Sequence, residues 1–345
     1  MYKKTLLGFL LACMAWGIAT ADVIKLNPNH PDEYVVVKGD TLWDISGRFL
    51  VEPWLWPEIW HANPQIANPH LIYPGDVLSL VYIDGKPRLM LRRGASSGTF
   101  KLTPEGRVIP LAQAIPTIPM DAIKQFLMEP TIVGENELNA APYIVEHKGE
   151  RILSASSNSV YVRGIKTPDI RQYTVVRKGN DYVDPVTQEL LGYEARFVGN
   201  GKLYRTGDPS TIKLTRTTRE ALIGDRLLPG SEDAFNTNFL PRAPETVIDG
   251  TILSVLDGVN QIGSNQVVVI NKGEREGLEP GHVLDIYQRG ETIKDSVTEE
   301  RGDTVTLPDE KAGVLMIFRT FEKLSYALVL KASRNINVMD SVRTP

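Results

Sequence analysis

The pattern of hydrophobic and polar positions divides the chain into three parts. Residues 5–18 form an apolar run without a charged residue. Residues 34–82 combine alternating and helix-like segments in a compact unit. From there to the end, most apolar segments are short, β-branched and alternating, and glycine, aspartate and proline separate them. The pattern predicts an α+β chain, in which a small mixed unit precedes a mainly β C-terminal region.

The first half of the unit 34–82 predicts a strand, a turn and a helix. Residues 34–37 form the strand, and a Lys-Gly-Asp turn follows. Thr41 is a natural N-cap, with Asp44 three residues later in a position like that of a capping box. Three apolar residues then share one helical face: Leu42, Ile45 and Phe49.

The second half of this unit predicts another helix and a closing strand. Pro57 suits the first turn of the helix, and Asn63-Pro64 ends it. Pro74 and Gly75 occupy the central positions of a turn that leads into a strand over residues 77–81. Trp60 is expected in the core, whereas Trp54 and Trp56 fit either the core or the rim of a groove.

The unit 34–82 resembles the LysM family. The matching residues, in order, are Tyr34, Val36, Gly39, Asp40, Thr41, Leu42, Ile45, Trp60, Asn63, Pro64, Ile66, Ile72, Pro74, Gly75, Asp76 and Leu78. The resemblance implies a βααβ fold that binds chains of N-acetylglucosamine-type sugars such as peptidoglycan. Residues 50–56 depart from the family pattern, because they are longer than usual and rich in tryptophan.

The resemblance also implies a glycan groove between the first turn and the loop after the second helix. One side of the groove is formed by Gly39, Asp40, Thr41 and Leu42, and the other by Pro64, Gln65, Ile66 and Ala67. Backbone N–H groups of the first helical turn have no partner within the helix, so they are expected to be free to donate to acetamido carbonyls. Gly39 allows close backbone approach, and Leu42 and Ile66 offer apolar surface to the sugar.

An internal repeat is predicted in the C-terminal part of the chain. Residues 172–179 parallel residues 283–290 at an offset of 111, and the pattern continues on both sides. We therefore expect two related barrel- or sandwich-like β modules, at 141–230 and 248–345, joined by a linker at 231–247. Residues 83–140 are expected to connect the LysM unit to these modules, with one short helix at 120–128.

The N-terminal residues predict export across a bacterial inner membrane into the periplasm. Lys3 and Lys4 precede the apolar run, and Ala19-Thr20-Ala21 fits a cleavage site, so residues 1–21 read as a signal peptide followed by a linker at 22–33. A lipid anchor at Cys13 is disfavoured, because the chain after Cys13 stays apolar. No second stretch is apolar enough for a membrane span, so none is expected in the mature form.

Charge and motifs favour a binding protein over an enzyme. Removal of the signal lowers the net charge from −4 to −6, which argues against nucleic acid as a partner. Residues 94–98 match G-x-S-x-G but lack a helical sequence after the motif, and the five histidines form no metal-binding spacing. We expect no catalytic residue, metal or cofactor.

The β modules are expected to act as scaffold or as a surface for an envelope protein. The alternatives are a peptidoglycan hydrolase with its catalytic domain within 84–345, and an assembly factor tethered by LysM.

Overall fold

The structure is a computed structural model that describes residues 24–60, 71–92, 114–128, 132–149, 152–167, 169–230, 239–256, 261–295, 297 and 303–345. The predicted signal peptide and the G-x-S-x-G motif at 94–98 lie outside the described residues.

The N-terminal unit contains the predicted strand, helix, helix and strand. In chain order its elements are β1 (Glu33–Val35), α1 (Leu42–Phe49), a 3-10 turn (Pro53–Leu55), α2 (Trp56–Ile59) and β2 (Val77–Ile83). The two strands pair antiparallel, with Tyr34 opposite Leu78. The turn before β2 has Gly75 at φ +97°, and Asp76 donates its N–H to the carbonyl of Tyr73 at 3.0 Å. The predicted βααβ arrangement is therefore confirmed.

A third strand, β3 (Lys86–Arg92), extends this sheet beyond the predicted unit. It pairs with β2 along its whole length, and Asp84 and Gly85 form the connecting turn with positive φ at both positions. Such a turn matches the twist of a hairpin. Trp60 forms a parallel bridge with Leu89 of β3. Helix α2 therefore ends at Ile59, and the predicted end at Asn63-Pro64 is wrong.

The tryptophans of the N-terminal unit belong mainly to its core. Trp54 and Trp56 are buried, and the side chain of Trp56 is only 1 % exposed. Trp60 is half-buried and meets Trp56 edge to face, with ring centroids 6.0 Å apart. The long tryptophan-rich segment between α1 and α2 therefore contributes core volume to the unit.

The part between the N-terminal unit and the β-rich region is more structured than one short helix. After β3 it contains α3 (Met120–Met128), β4 (Ile132–Val133) and α4 (Glu135–Ala140). The predicted helix at 120–128 is confirmed. Residues 132–140 add a short strand and a helix that pack on the following sheet.

The next six strands form a sheet that closes on itself. They are β5 (Tyr143–His147), β6 (Ser159–Arg163), β7 (Gln172–Val183), β8 (Leu190–Arg205), β9 (Ser210–Thr217) and β10 (Arg226–Pro229). The order is β4-β8-β7-β10-β5-β6-β9, and an additional pairing between β8 and β9 completes a ring. We call these strands, with β4, the seven-stranded sheet.

The C-terminal region contains a closed six-stranded barrel. Its strands, in pairing order, are β11 (Asp249–Leu256), β13 (Val267–Ile270), β18 (Ser325–Ala332), β17 (Glu310–Thr320), β14 (Val283–Gln288) and β20 (Ser341–Arg343). Two small two-stranded sheets accompany it: β12 (Gln261–Ile262) with β19 (Ile336–Asn337), and β15 (Thr292–Lys294) with β16 (Thr304–Thr306). We call the six-stranded structure the C-terminal barrel.

Several barrel strands are buried on both faces. Along β17, Leu315 and Ile317 point into the barrel core, while Met316 and Phe318 belong to a second hydrophobic cluster. That second cluster also contains the core of the N-terminal unit and the buried face of α3, including Ile123. Because strand side chains alternate between faces, two-sided burial produces continuous apolar strands such as β13. The N-terminal unit and the C-terminal barrel therefore share one core.

Polar contacts join the seven-stranded sheet to the C-terminal barrel. Asn271 donates its side-chain amide to the buried carboxylate of Asp184 at 2.7 Å. Glu189 accepts hydrogen bonds from Lys323 at 2.6 Å and Arg275 at 3.1 Å. These two cations, Lys323 first, lower the pKa of Glu189. Glu189, which lies directly before β8, thus forms an ionic contact between the two sheets.

Within the described part of the chain, no helix has the length and apolar character that crossing a bilayer requires.

A buried carboxylate lies where the N-terminal unit meets the barrel. Lys311 contacts Asp285 at 2.7 Å and Glu52 at 3.7 Å. Burial raises the pKa of Asp285 and outweighs the ion pair with Lys311. A raised native pKa stabilises the fold below the unfolded value of about 3.9, and this contribution is lost as pH rises through the native pKa.

We therefore predict that the stability of wild type relative to Asp285→Asn falls as pH rises from about 3 to 7, because only the wild type must ionise a buried group. Urea unfolding at a series of pH values measures this difference. The same substitution at the exposed Asp169 is the control. A difference that grows with pH would contradict the assignment.

Two glycines lie in the connection between β13 and β14, and substituting each one allows backbone strain to be compared with steric conflict. Gly277 and Gly281 both have positive φ, at +82° and +98°. A Cβ on Gly281 would lie 2.6 Å from the carbonyl oxygen of Leu240, whereas a Cβ on Gly277 would have only an ordinary contact with Thr246. We predict that Gly277→Ala costs about 1–2 kcal/mol and Gly281→Ala clearly more, as measured by the unfolding midpoint. Equal costs would show that the Leu240 contact relaxes freely.

Candidate functional site

The turn before α1 is fixed by the side chain of Asp40. Its carboxylate accepts hydrogen bonds from the N–H of Val37 at 2.9 Å and the hydroxyl of Tyr34 at 3.0 Å. The N–H of Asp40 donates to the carbonyl of Val37, and Gly39 between them has φ +101°. The predicted Gly39-Asp40 turn is therefore present, and glycine is required there by its backbone conformation.

Tyr34 connects this turn to α1. Its hydroxyl binds Asp40, and the guanidinium of Arg48 lies 4.6 Å from the centre of its ring. Burial raises the pKa of Tyr34, and the hydrogen bond to Asp40 adds to the effect. The phenol thus stays protonated and continues to donate to Asp40 in neutral solution.

Thr41 caps α1 as the sequence predicts. Its hydroxyl accepts the N–H of Asp44 at 3.1 Å and donates to the Asp44 carboxylate at 2.7 Å. Leu42, which follows, is the first residue of the helix. Both Thr41 and Leu42 are buried, with the Thr41 side chain 4 % exposed. Two of the predicted glycan-binding residues are therefore covered by other parts of the chain.

The covering segment comprises residues 114–118, which lead into α3. Leu42 donates its N–H to the carbonyl of Pro116 at 2.9 Å, and Trp43 donates to the carbonyl of Thr117 at 3.1 Å. The expectation that the first-turn N–H groups are free is wrong for Leu42 and Trp43. The unpaired groups of a helix start need acceptors, and here the chain supplies them itself.

The same segment also contacts the far part of the N-terminal unit. Ile115 donates its N–H to the carbonyl of Ile72 at 2.8 Å. The side chains of Ile115, Thr117 and Ile118 are buried, and Ile118 is 0 % exposed. We call residues 114–118 the covering segment, because they lie between the start of α1 and residue 72.

The second side of the predicted groove is Pro64, Gln65, Ile66 and Ala67. These four residues lie outside the part of the chain that the structure describes. Their place in a groove stays a prediction. The described half of the site consists of Gly39, Asp40, Thr41 and Leu42, which the turn and the helix cap hold in one short stretch.

The covering segment was not predicted from the sequence. The sequence does contain one signal for the conformation of this segment. Ile115 and Ile118 each precede a proline, and residues in that position favour extended backbone. No local pattern indicates that this extended piece would pair with residues 42, 43 and 72, since the contact joins parts of the chain more than 40 residues apart.

Other titratable groups do not assemble a metal site within the described residues. No group of three or more histidine, cysteine, aspartate or glutamate side chains is placed to hold a metal ion there. His282 accepts the N–H of Glu279 on its Nδ1 atom at 3.1 Å. Burial, and then the nearby Arg242, lower its pKa, so this ring stays neutral at pH 7.

Comparison with known proteins assigns a family to the N-terminal unit. Residues 34–81 match the LysM domain family. A relative in Bacillus subtilis (strain 168), described as uncharacterized protein YqbP, is 38 % identical over 60 residues. That match covers 14 % of this chain and 27 % of the relative's length. The N-terminal unit is therefore a LysM domain, and the resemblance is confined to this segment.

The cap of α1 provides a test of the site geometry. We predict that Thr41→Ala costs about 1 kcal/mol, because the N–H of Asp44 loses its acceptor. Thr41→Ser keeps the hydroxyl and is expected to stay within a few tenths of a kcal/mol of wild type. Chemical unfolding of the three proteins measures this, and a loss of equal size in Thr41→Ser would assign the effect to the methyl group instead.

Proposed function

We propose that the LysM domain binds N-acetylglucosamine-containing strands of peptidoglycan without cleaving them. The observation that carries the proposal is the LysM match over residues 34–81 on a unit with the expected turn and capped helix. The proposed contact residues are Gly39, Asp40, Thr41 and Leu42 on one side and Pro64, Gln65, Ile66 and Ala67 on the other.

The hydrogen-bonding chemistry at α1 supports this ligand class. The N–H groups of Leu42 and Trp43 are directed at amide carbonyl oxygens at 2.9 and 3.1 Å. The acetamido group of N-acetylglucosamine offers an amide carbonyl of the same kind. Because the Thr41 side chain caps α1, the N–H groups of Leu42 and Trp43 are held at fixed positions. Fixed donors favour an acceptor of defined geometry.

The cell envelope is the compartment that we propose for this activity. The basic and apolar residues before Ala21, with their small-residue cleavage pattern, support export to the periplasm. A negatively charged mature chain is compatible with a glycan partner, since sugar recognition needs no basic surface.

We propose that the β-rich region serves as a scaffold for the LysM domain. The outer face of the C-terminal barrel and the LysM core belong to one hydrophobic cluster, which supports a rigid attachment. An interface of this kind orients the glycan site relative to the rest of the chain. A separate envelope partner for residues 141–345 is the alternative role of the same region.

We further propose that the modules 141–230 and 248–345 are copies of one unit. The ring β5-β6-β9-β8-β7-β10 has the same pairing order as β11-β13-β18-β17-β14-β20. Before the last strand of each ring, a residue with positive φ precedes an aspartate. The carboxylate of this aspartate accepts a hydrogen bond from the N–H group three residues earlier. In both rings, this pair of residues also forms the same two backbone hydrogen bonds with one residue of the first strand. The equivalent pairs are Gly224 and Met339, Asp225 and Asp340, Leu222 and Asn337, and Ile144 and Ile252.

Co-sedimentation with purified peptidoglycan tests the proposed binding. We predict that the mature chain pellets with peptidoglycan and that Thr41→Arg/Ile66→Asp reduces its affinity at least about tenfold, a loss of about 1.4 kcal/mol. The matched control is Thr304→Arg/Ile152→Asp, which makes the same chemical changes at exposed positions, Ile152 being 89 % exposed.

Three results separate the functions. Binding that the site variant loses and the control keeps supports the proposal, provided that thermal melting shows the variant folded. Wild type that stays in solution contradicts glycan binding. Release of muropeptides into the supernatant would instead favour a hydrolase with its catalytic groups within residues 84–345.

A further inference from the structure

The covering segment occupies the donors that the proposed glycan site would use. Pro116 and Thr117 place their carbonyl oxygens on the N–H groups of Leu42 and Trp43. We infer that residues 114–118 act as an internal ligand of the LysM site, which glycan must displace in order to bind. This inference rests on the proposed function, because it assumes that the site takes sugar.

The segment imitates the ligand in its chemistry. A peptide carbonyl and an acetamido carbonyl are both amide acceptors, so each can satisfy the same N–H donor but not at the same time. Thr41 and Leu42 are covered together with Ile115 and Ile118. Sugar bound at Gly39–Leu42 and the covering segment therefore exclude one another.

The amino-acid sequence of the segment prepares it for this role. Ile115 and Ile118 each precede a proline, so their backbones favour the extended form before any contact is made. Pro116 has no N–H group, and its carbonyl is therefore presented without a neighbouring donor from the same residue. Such a segment therefore loses less conformational entropy on binding than one without these prolines.

The C-terminal end of the segment is anchored away from the LysM site. Pro119 leads directly into α3, which packs on the outer face of the C-terminal barrel. Arg319 donates to the carbonyl of Phe126 at 2.8 Å, and the ring of Phe126 meets Tyr326 edge to face. The segment thus remains close to the site when its contacts open, which gives it a high effective concentration.

An internal competitor lowers the apparent affinity for glycan, because only molecules whose covering segment has left the site can bind. The apparent affinity equals the intrinsic affinity multiplied by the fraction of such molecules. If the covering segment is bound in most molecules, releasing it raises affinity without adding a contact to the sugar. The three backbone hydrogen bonds of Leu42, Trp43 and Ile115 are the contacts that must open. The attachment of α3 to the barrel need not change.

The test compares affinities for a soluble N-acetylglucosamine oligomer by titration calorimetry on the full mature chain. In the opened variant, Ile115→Asp/Ile118→Asp, two buried side chains of the segment become charged. The matched control is Ile152→Asp/Ile223→Asp, at two exposed isoleucines. We expect the opened variant to bind at least about tenfold tighter than wild type, and the control to bind like wild type.

The specificity of this gain is tested in the same background. Adding Thr41→Arg to the opened variant is expected to remove the gained affinity, which assigns it to the LysM site. Ile118→Ala, a gentler change in the same direction, is expected to give an intermediate affinity. Circular dichroism and thermal melting show whether the double variant folds. If it does not, the affinity of Ile118→Ala tests the inference in its place.

The outcomes distinguish the two proposals. If wild type and opened variant bind equally and Thr41→Arg weakens both, the internal-ligand inference is overturned while glycan binding stands. If a folded opened variant binds no oligomer, and wild type binds none, the proposed function is overturned and the inference with it. Tighter binding that survives Thr41→Arg would place the gained site elsewhere and also overturn the inference.

Discussion

The start of helix α1 imposes the constraint on which this structure depends. Backbone N–H groups in the first turn of a helix have no acceptor within the helix, and burying them unpaired costs about 1–3 kcal/mol each. Thr41 satisfies the N–H of Asp44 with its side chain, and the carbonyls of Pro116 and Thr117 satisfy Leu42 and Trp43. The same donors make the helix start suitable for an amide-bearing ligand. Fold and proposed function therefore use one set of atoms.

This constraint also explains why the LysM domain is part of a larger body in the structure. The segment that covers α1 continues into α3, and α3 lies on the C-terminal barrel together with the LysM core. The barrel strands that face this contact are apolar on both sides, as two-sided burial requires. The start of α1, where we propose that glycan binds, is thereby held at a fixed place on the β-rich region.

Sequence reasoning succeeded where the physical cause is local. Thr41 with Asp44, and Pro74 with Gly75, predict their cap and turn because the interacting groups lie within a few residues. Strand β3 was missed although Asp84-Gly85 is a strong hairpin signal, and α2 ends at Ile59, directly before the residue that bridges to β3. The covering segment could not be predicted, since its acceptors lie more than 70 residues from the donors of Leu42 and Trp43. The burial of Trp54 and Trp56 likewise depends on packing that sequence spacing does not specify.

Amide hydrogen exchange with and without an N-acetylglucosamine oligomer tests the central claim most directly. In the free protein, the amides of Leu42, Trp43 and Ile115 are all hydrogen-bonded and should exchange slowly. When the oligomer binds, Leu42 and Trp43 should stay protected by a new acceptor, whereas Ile115 should lose its protection as the segment leaves Ile72. Protection of Ile115 that is unchanged in the saturated complex would contradict displacement of the segment by glycan.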